Sequence, residues 1–471
     1  MNKKTFLIST AIDYPTERGH LGHALEKVQA DVLARYKRLQ GFDVHFRTGV
    51  DEHGLKIQRY AQKSEKRPQE FVDEMSGYFK DLWKALNISN DDFIRTTEER
   101  HIKVVREILK KIYEKGDIYK GKYKGLYCVD CESYYLPKDL ENGYCPIHHK
   151  PIETIEEETY FFRINKYQKL LIKHIKENKN FIIPEGKKNE ILNRLKEPLQ
   201  DLSITRKMVG WGIPFYFDKE LTLFVWIDAL LNYLTTIDYP GDKFKKFWPG
   251  INIIGKDIVW HHVVIFSCLL FSLGLKLSKT IFVHGFITSN GQKMSKSIGN
   301  VVDPFELVTR YSADAVRYFL LREIPPTEDG DFTYEKFEQR YNSDLASGIG
   351  NLVARVIKIA QNINLSVSNK LSDKSFQKII DKTEKGYKKA LDEFKFNEVL
   401  AVIWELISFC DKYIEKERPW EQSDNQKAAL NNLLFTINEI AVLLKPFLPE
   451  TSEKIFEQLK DKKSIPLFPR V

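Results

Sequence analysis

Two periodicities organise the apolar positions of this chain. Thr5–Ile12 is a short, mostly apolar run of strand length, and Asp43–Val50 is another. Between them Leu25, Val28, Val32, Tyr36 and Leu39 recur at helical spacing, with Gly41 closing the helix. A helical pattern resumes after Gly54. Strand, helix, strand makes a βαβ unit, which predicts a parallel, doubly wound sheet. The rhythm returns late, with an apolar strand at Asn252–Ile254, a helical pattern over Ile258–Leu273 and a strand at Thr280–Phe286. From about Gly116 to Asp218 lie a cysteine cluster, many tyrosines and short β-like runs, read as an insertion splitting one α/β domain. Helical segments follow at Tyr334–Asn364, Phe394–Lys416 and Ala428–Phe447, and the Lys-rich stretch Lys382–Lys389 reads as a solvated helix face.

The longest apolar run, Val263–Leu275, falls short of the roughly 20 residues that cross a bilayer. The amino-terminal apolar stretch ends at Asp13 with no small-residue cleavage site, so it reads as a buried strand rather than a leader. With 42% hydrophobic and 13% aromatic residues among 471, the chain has ample material for packed cores, which excludes a disordered chain. The net charge of +8 is compatible with an anionic partner. Of five cysteines, Cys128, Cys131 and Cys145 cluster while Cys268 and Cys410 sit alone in apolar helical patterns. That is no disulfide framework, and a reducing cytoplasm fits.

Three motifs carry chemistry. Gly19-His20-Leu21-Gly22-His23 falls between the first strand and the first helix. A helix N-terminus attracts anions, Gly22 lets a ligand approach the backbone, and two histidines three apart can face one phosphate chain. The bland alternative is a loop with two surface histidines. Lys293-Met294-Ser295-Lys296-Ser297, set between Gly291 and Gly299, reads as a mobile cationic loop able to clamp a triphosphate, or simply as a basic loop. Cys128-x2-Cys131, then Cys145-x2-His148, places three thiolates and an imidazole in two knuckles, a tetrahedral zinc set. Four protein ligands leave no open position, so such a zinc is structural, and His149 could replace His148.

The HLGH and KMSKS pair resembles the signature of class I aminoacyl-tRNA synthetases. Finer segments resemble the methionyl-tRNA synthetase family: Thr48–Gly54 (TGVDEHG), Val225–Tyr233 (VWIDALLNY), Gly255–Ile258 (GKDI) with His261-His262, and Val283–Phe286 (VHGF) leading into KMSKS. The resemblance implies a Rossmann-like doubly wound parallel sheet (1–115 and 219–287), split by a zinc-binding connective insertion (116–218). A KMSKS and connecting region (288–333) and an all-α, helical-bundle anticodon-binding domain (334–471) would follow. It implies ATP contacts from His20, Gly22, His23, Asp257, Lys293 and Lys296, with His20, His23, Lys293 and Lys296 catalytic, and Glu26 and Asp257 as candidates for the ribose. It implies a methionine pocket of Ile12, Tyr14, Asp51, Trp226, Ala229, Leu230, Tyr233, Ile258 and His262. A thioether packs well against aromatic edges, Asp51 can pair with an α-ammonium, and Tyr233 and His262 offer polar handles. By their apolar character alone, Trp226 and Ile258 would read as core. Asp13 departs from the family, which often has an apolar residue or proline there. Asn351, Arg355 and Trp420 match residues that read the anticodon CAU.

The implied reaction consumes ATP with Mg²⁺, forms methionyl-adenylate and pyrophosphate, and charges tRNA(Met), initiator tRNA included. Structural Zn²⁺, a cytoplasmic location, a monomer and no membrane partner complete the expectation. The monomer follows from the absence after Val471 of the extra domain that dimerises some members. The rivals are a leucine, isoleucine, valine or cysteine synthetase, a small adenylyltransferase, and a non-catalytic RNA-binding paralogue. The insertion is too small for an editing domain, and the closed zinc set argues against the cysteine enzyme. An adenylyltransferase needs no helical last third, and RNA binding alone needs no KMSKS lysines.

Overall fold

The computed structural model describes residues 3–128, 133–135, 137–147, 149–207, 209–294, 299–361, 363, 371–421 and 423–469. The chain divides into two compact units, one of residues 1–19, 41–81 and 90–283, the other of 20–40, 82–89 and 284–471.

The first unit is built on six strands: β1 (Thr5–Thr10), β2 (Asp43–Val50), β3 (Asp92–Arg95), β4 (Ile182–Ile183), β5 (Ile251–Gly255) and β6 (Thr280–His284). Their order across the sheet is β3-β2-β1-β5-β6-β4. β1 pairs in parallel with β2 and β5, β2 with β3, and β6 with β4. β1 and β2 are neighbours joined through helix α1 (Leu21–Leu39), the predicted βαβ unit. Strand order reverses between β1 and β5, and α/β sheets place ligands beyond the carboxyl ends of strands at such a switch. Every residue of β5 and β6 is buried, as expected of parallel strands covered on both faces.

The insertion is a sheet of its own in which Ile118–Cys128 runs antiparallel to Glu153–Phe162, from Ile118↔Phe162 to Tyr127↔Glu153. It is also tied to the main sheet. Its short β4 pairs with β6, and Phe162, Tyr167, Leu171 and Ile175 share one core with Val105, Ile108, Ile227 and Val263. A two-residue strand leaves no periodicity to read in the sequence. The pattern over Ile258–Leu273 resolves into a π-helical turn, His261–Phe266, and a helix, Ser267–Ser272.

The second unit is mainly helical. Lys374–Asp392, Phe396–Glu417, Gln426–Leu444 and Pro449–Asp461 are long helices, and Lys382, Lys385, Lys388 and Lys389 are all exposed. Tyr334–Asn364, read as one periodic segment, is helix Tyr334–Arg340, a π-helical stretch Tyr341–Gly350 and helix Asn351–Gln361, while Asn362 and Asn364 lie outside the described residues. Gln426–Leu444 corrects the expectation about membranes, because by length and composition it alone among the described helices is apolar enough to span one. Leu430, Leu433, Ile437, Ile440 and Leu444 are fully buried, so this helix is the core of the bundle. α1 belongs to this unit. Its buried Asp31 pairs at 2.8 Å with the buried Arg317, which donates to the carbonyls of Leu86, Pro446 and Phe447.

Candidate active site

The HLGH histidines build the start of α1 in the second unit. His20 is the N-cap, and its Nδ1 accepts from the Gly22 N–H at 3.0 Å. His23, on the first turn, accepts at its own Nδ1 from the His20 N–H at 3.2 Å. A backbone N–H can only donate, so both Nδ1 atoms are acceptors and each neutral ring carries its proton on Nε2. Burial and then nearby Lys293 push His20 down to about 4. Burial, then His20, Lys27 and His284, hold His23 well below the usual histidine range. At neutral pH both rings are therefore uncharged donors, 4.1 Å apart between centroids. Gly22 lets the His20 ring lie against the backbone, since a Cβ there would lie 2.8 Å from His20 Cε1 and the ring would have to shift.

Three residues beyond His23 in α1, Glu26, a candidate for the ribose, is buried and paired. Its Oε1 lies 3.1 Å from Lys27 Nζ and its Oε2 3.2 Å from His284 Nε2. Burial raises this carboxyl, but Lys27 and His284 together bring it below the ordinary carboxylate value. After His284 the chain turns at Gly285, where a Cβ would meet the Glu328 carbonyl oxygen at 2.1 Å. A hairpin follows. Ile287–Ser289 pairs with Gln292–Lys293 across Asn290-Gly291, both at positive φ (52° and 72°), and in parallel with Gly330–Phe332. Asp331 Oδ1 accepts from the Gly291 N–H at 2.7 Å and fastens the turn. Lys293 thus stands on a pinned hairpin, while Lys296 lies outside the described residues.

The first unit holds the residues expected to line an amino-acid pocket. Tyr14, Trp226 and Ile258 pack against the core that contains Leu230 and Tyr233. Tyr233 Oη is 2.7 Å from His262 Nε2, and His262 Nδ1 is 2.9 Å from the Ile258 carbonyl. The carbonyl fixes the His262 proton on Nδ1, so in the neutral ring Tyr233 donates to Nε2. Trp226 stacks on His261 at 3.7 Å, and Tyr14 donates to the His53 carbonyl at 3.0 Å. Asp51 and Ala229 are buried, Ile12 is half-buried after β1, and Asp257 is exposed just beyond β5. Asp13, the departure from the family, is buried and its backbone bridges Gly49 O (2.9 Å) and Asp51 N (2.8 Å).

A cluster that the sequence did not single out lies beside these residues. Asp228 accepts from His53 Nδ1 at 2.6 Å and His101 Nε2 at 2.7 Å, with all three buried. Burial would raise the Asp228 carboxyl, but His53 and His101 bring it down to about 2. Asp228 lies in helix Val225–Leu230 between Trp226 and Tyr233, so the pair of imidazoles fixes the turn that presents both aromatics. The available signal was its place, with His53, inside the quoted VWIDALLNY and TGVDEHG segments.

Residues 6–151 and 131–357 match the model of tRNA synthetases class I (M), and residues 373–470 match that of the anticodon-binding domain of tRNA ligase. The methionine–tRNA ligase of Clostridium tetani is 45% identical over 476 residues, covering 98% of this chain and 74% of the relative. That of Thermotoga maritima is 42% identical, covering 96% and 75%. The chain belongs to the methionyl-tRNA synthetase family. Among solved members, Mycobacterium tuberculosis methionyl-tRNA synthetase in complex with methionyl-adenylate matches with a TM-score of 0.94 at 34% identity, covering 99% of this chain and all of that one. Its free-state structure gives 0.86 at 31%, covering 100% and 99%.

For this methionyl-tRNA synthetase family member the remaining expected sites divide. Cys128 and Cys145 are fully buried, and Cys145 Sγ lies 3.7 Å from Tyr135 Oη. Cys131 and His148 lie outside the described residues, and among those described no group of three or more metal ligands is assembled. His149 is 72% exposed and faces Glu141 at 3.7 Å. In the helical unit the Arg355 guanidinium lies 5.7 Å from the Trp420 ring and 2.7 Å from Glu415. Trp420 is 44% exposed, and Asn351 opens the helix that carries Arg355. The half-buried carboxyl of Asp411 is pushed up to about 6 by burial, with Arg355 opposing and Glu415 adding.

Proposed function

We infer that this chain is a methionine–tRNA ligase that activates methionine with ATP and charges tRNA with the product. The observation that carries the activation step is the double-histidine cap of α1, whose two Nδ1 atoms are committed to backbone N–H groups. Each neutral ring then carries its proton on Nε2 at a helix N-terminus, where the dipole and the backbone N–H groups favour an anion such as a phosphate chain. The methionine carboxylate attacks the α-phosphorus in line. An oxygen–phosphorus bond forms, the α–β bridge breaks and pyrophosphate leaves. A carboxylate is already a nucleophile, so catalysis is positioning and charge stabilisation. His20 and His23 donate to the phosphate oxygens while Lys293 and Lys296 neutralise the departing charge. Mg²⁺ arrives with ATP as its oxygen-bound counter-ion. The 2′-hydroxyl of the terminal adenosine then attacks the adenylate carbonyl, releasing AMP.

The pocket assigned to Ile12, Tyr14, Asp51, Trp226, Ala229, Leu230, Tyr233, Ile258 and His262 is supported by the shared packing of its aromatics and the Tyr233–His262 bond. Asp257 is assigned to the ribose and Gly22 to close approach of the phosphates. Two fully buried sulfurs on the knuckles suit a zinc held by Cys128, Cys131, Cys145 and His148, and the outward His149 favours His148 as the fourth ligand. The zinc holds the insertion together and takes no part in the reaction. Trp420 and Arg355, with Asn351 on the same helix, offer a stacking surface and hydrogen-bond donors for an unpaired base. Initiator and elongator tRNA share CAU, so both are substrates. The domains are assigned as 1–115, 116–218, 219–287, 288–333 and 334–471. Charged tRNA is consumed by ribosomes, which places the reaction in the cytoplasm. ATP–pyrophosphate exchange with each of the twenty amino acids tests the activation step, and exchange dependent on another amino acid would overturn the pocket.

A further inference from the structure

The Glu26–His284 pair lies behind the HLGH turn and is buried, although neither residue is expected to touch methionine or the phosphates. His284 bridges two acceptors. Its Nδ1 is 2.8 Å from the Gly285 carbonyl, which can only accept, so Nδ1 carries a proton. Its Nε2 is 3.2 Å from Glu26 Oε2. Lys27, at 3.1 Å from the other oxygen, keeps that carboxylate ionised, so Nε2 must donate as well. A neutral imidazole has one N–H and cannot satisfy both acceptors.

We propose that His284 is a doubly protonated positioning residue that, held by Glu26, pins the root of the Lys293 hairpin to the HLGH turn. Glu26 lies three residues, one helical turn, beyond His23. His284 ends β6, and the chain leaves it through Gly285, where no side chain fits, directly into the hairpin that bears Lys293. The pair therefore sets where the lysines start relative to the two histidine donors. The charged groups around it are Glu26 and Lys27 on α1 and Asp329, whose Oδ1 accepts from the Phe286 N–H at 2.9 Å, and the neutral His23 ring is the other titratable group. Lys27 is itself held 5.3 Å from the Trp83 ring. The role rests on the adenylation reading above.

The test uses the full chain labelled with ¹⁵N-histidine, its His284 signals assigned as those absent from His284→Asn. Wild type should show both His284 ring nitrogens protonated at pH 7.5. In Glu26→Gln the amide N–H can donate to Nε2 while its oxygen still accepts from Lys27, so Nε2 should lose its proton. Pyrophosphate-exchange kcat should stay within about threefold in Glu26→Gln. It should fall about 30-fold in Glu26→Ala with the methionine KM within about twofold, because geometry for the transition state is lost while the pocket is not. A neutral His284 ring in wild type overturns the proposal. So does a Glu26→Ala enzyme whose loss lies wholly in the ATP KM, which would make Glu26 a ligand contact. If wild type shows no methionine-dependent exchange, the adenylation reading fails instead, whatever the ring signals show.

Discussion

Gly22→Ala separates catalysis from stability. The new Cβ would sit 2.8 Å from His20 Cε1 and 3.0 Å from Nδ1, closer than real contacts allow. The obstacle is a ring that two side-chain torsions can turn, so the ring moves away rather than the helix. That breaks the Nδ1···H–N bond to residue 22, worth about 1 kcal/mol net. Alanine within a helix regains about 0.8–1 kcal/mol over glycine, so global stability should change by less than about 1 kcal/mol. Catalysis has no such compensation. A phosphate donor displaced by about 1 Å costs on the order of 10²-fold, near 2.7 kcal/mol. Methionine-dependent pyrophosphate exchange should show kcat reduced about 100-fold and the methionine KM within twofold, with an almost unchanged urea midpoint. A Gly22→Ala enzyme with wild-type kcat would refute the placement of His20 as a phosphate donor.

Three further expectations follow from the same geometry. Asp228→Asn should destabilise the fold by roughly 2–3 kcal/mol in urea melts and raise the methionine KM, because two buried imidazoles lose their carboxylate. With a native value of about 2 against 3.8 unfolded, Asp228 contributes about 2 kcal/mol above pH 3.8, lost as pH falls towards 2, and the variant's acid unfolding should lack that component. Trp420→Ala should raise the tRNA KM by about 5- to 150-fold, the range of one lost base stack, and leave pyrophosphate exchange unaltered, and an unchanged tRNA KM would remove Trp420 from the anticodon site. Cys128→Ser should lower zinc below one equivalent by metal analysis and loosen the insertion to proteolysis, with a fully loaded, protease-resistant variant contradicting the ligand set.

Residues whose type is dictated by chemistry were the easiest to recognise in the chain. His20, His23 and Lys293 stand out because they fall in short motifs of a type suited to phosphate, set within the αβ rhythm that marks the sheet. What their rings do was hidden, since the neutral state follows from where Nδ1 points. His53, His101 and Asp228 are scattered across 175 positions, and only the fold makes them a cluster. The pairing of Glu26 was hidden for a related reason: its partner His284 lies 258 residues away. β4 is too short for any periodicity, and helix Gln426–Leu444 is apolar on most sides because it is surrounded by other helices. The sequence therefore names candidate groups for a ligand more readily than the groups packed behind them.

The central claim is that this chain attaches methionine to tRNA. The most direct measurement is the incorporation of ¹⁴C-methionine into an acid-precipitable tRNA transcript bearing a CAU anticodon, beside the same transcript with that anticodon changed. Methionine charging of the CAU transcript, with little on the altered one, is the predicted result. No methionylation of the CAU transcript by a folded enzyme supplied with ATP and Mg²⁺ would contradict it.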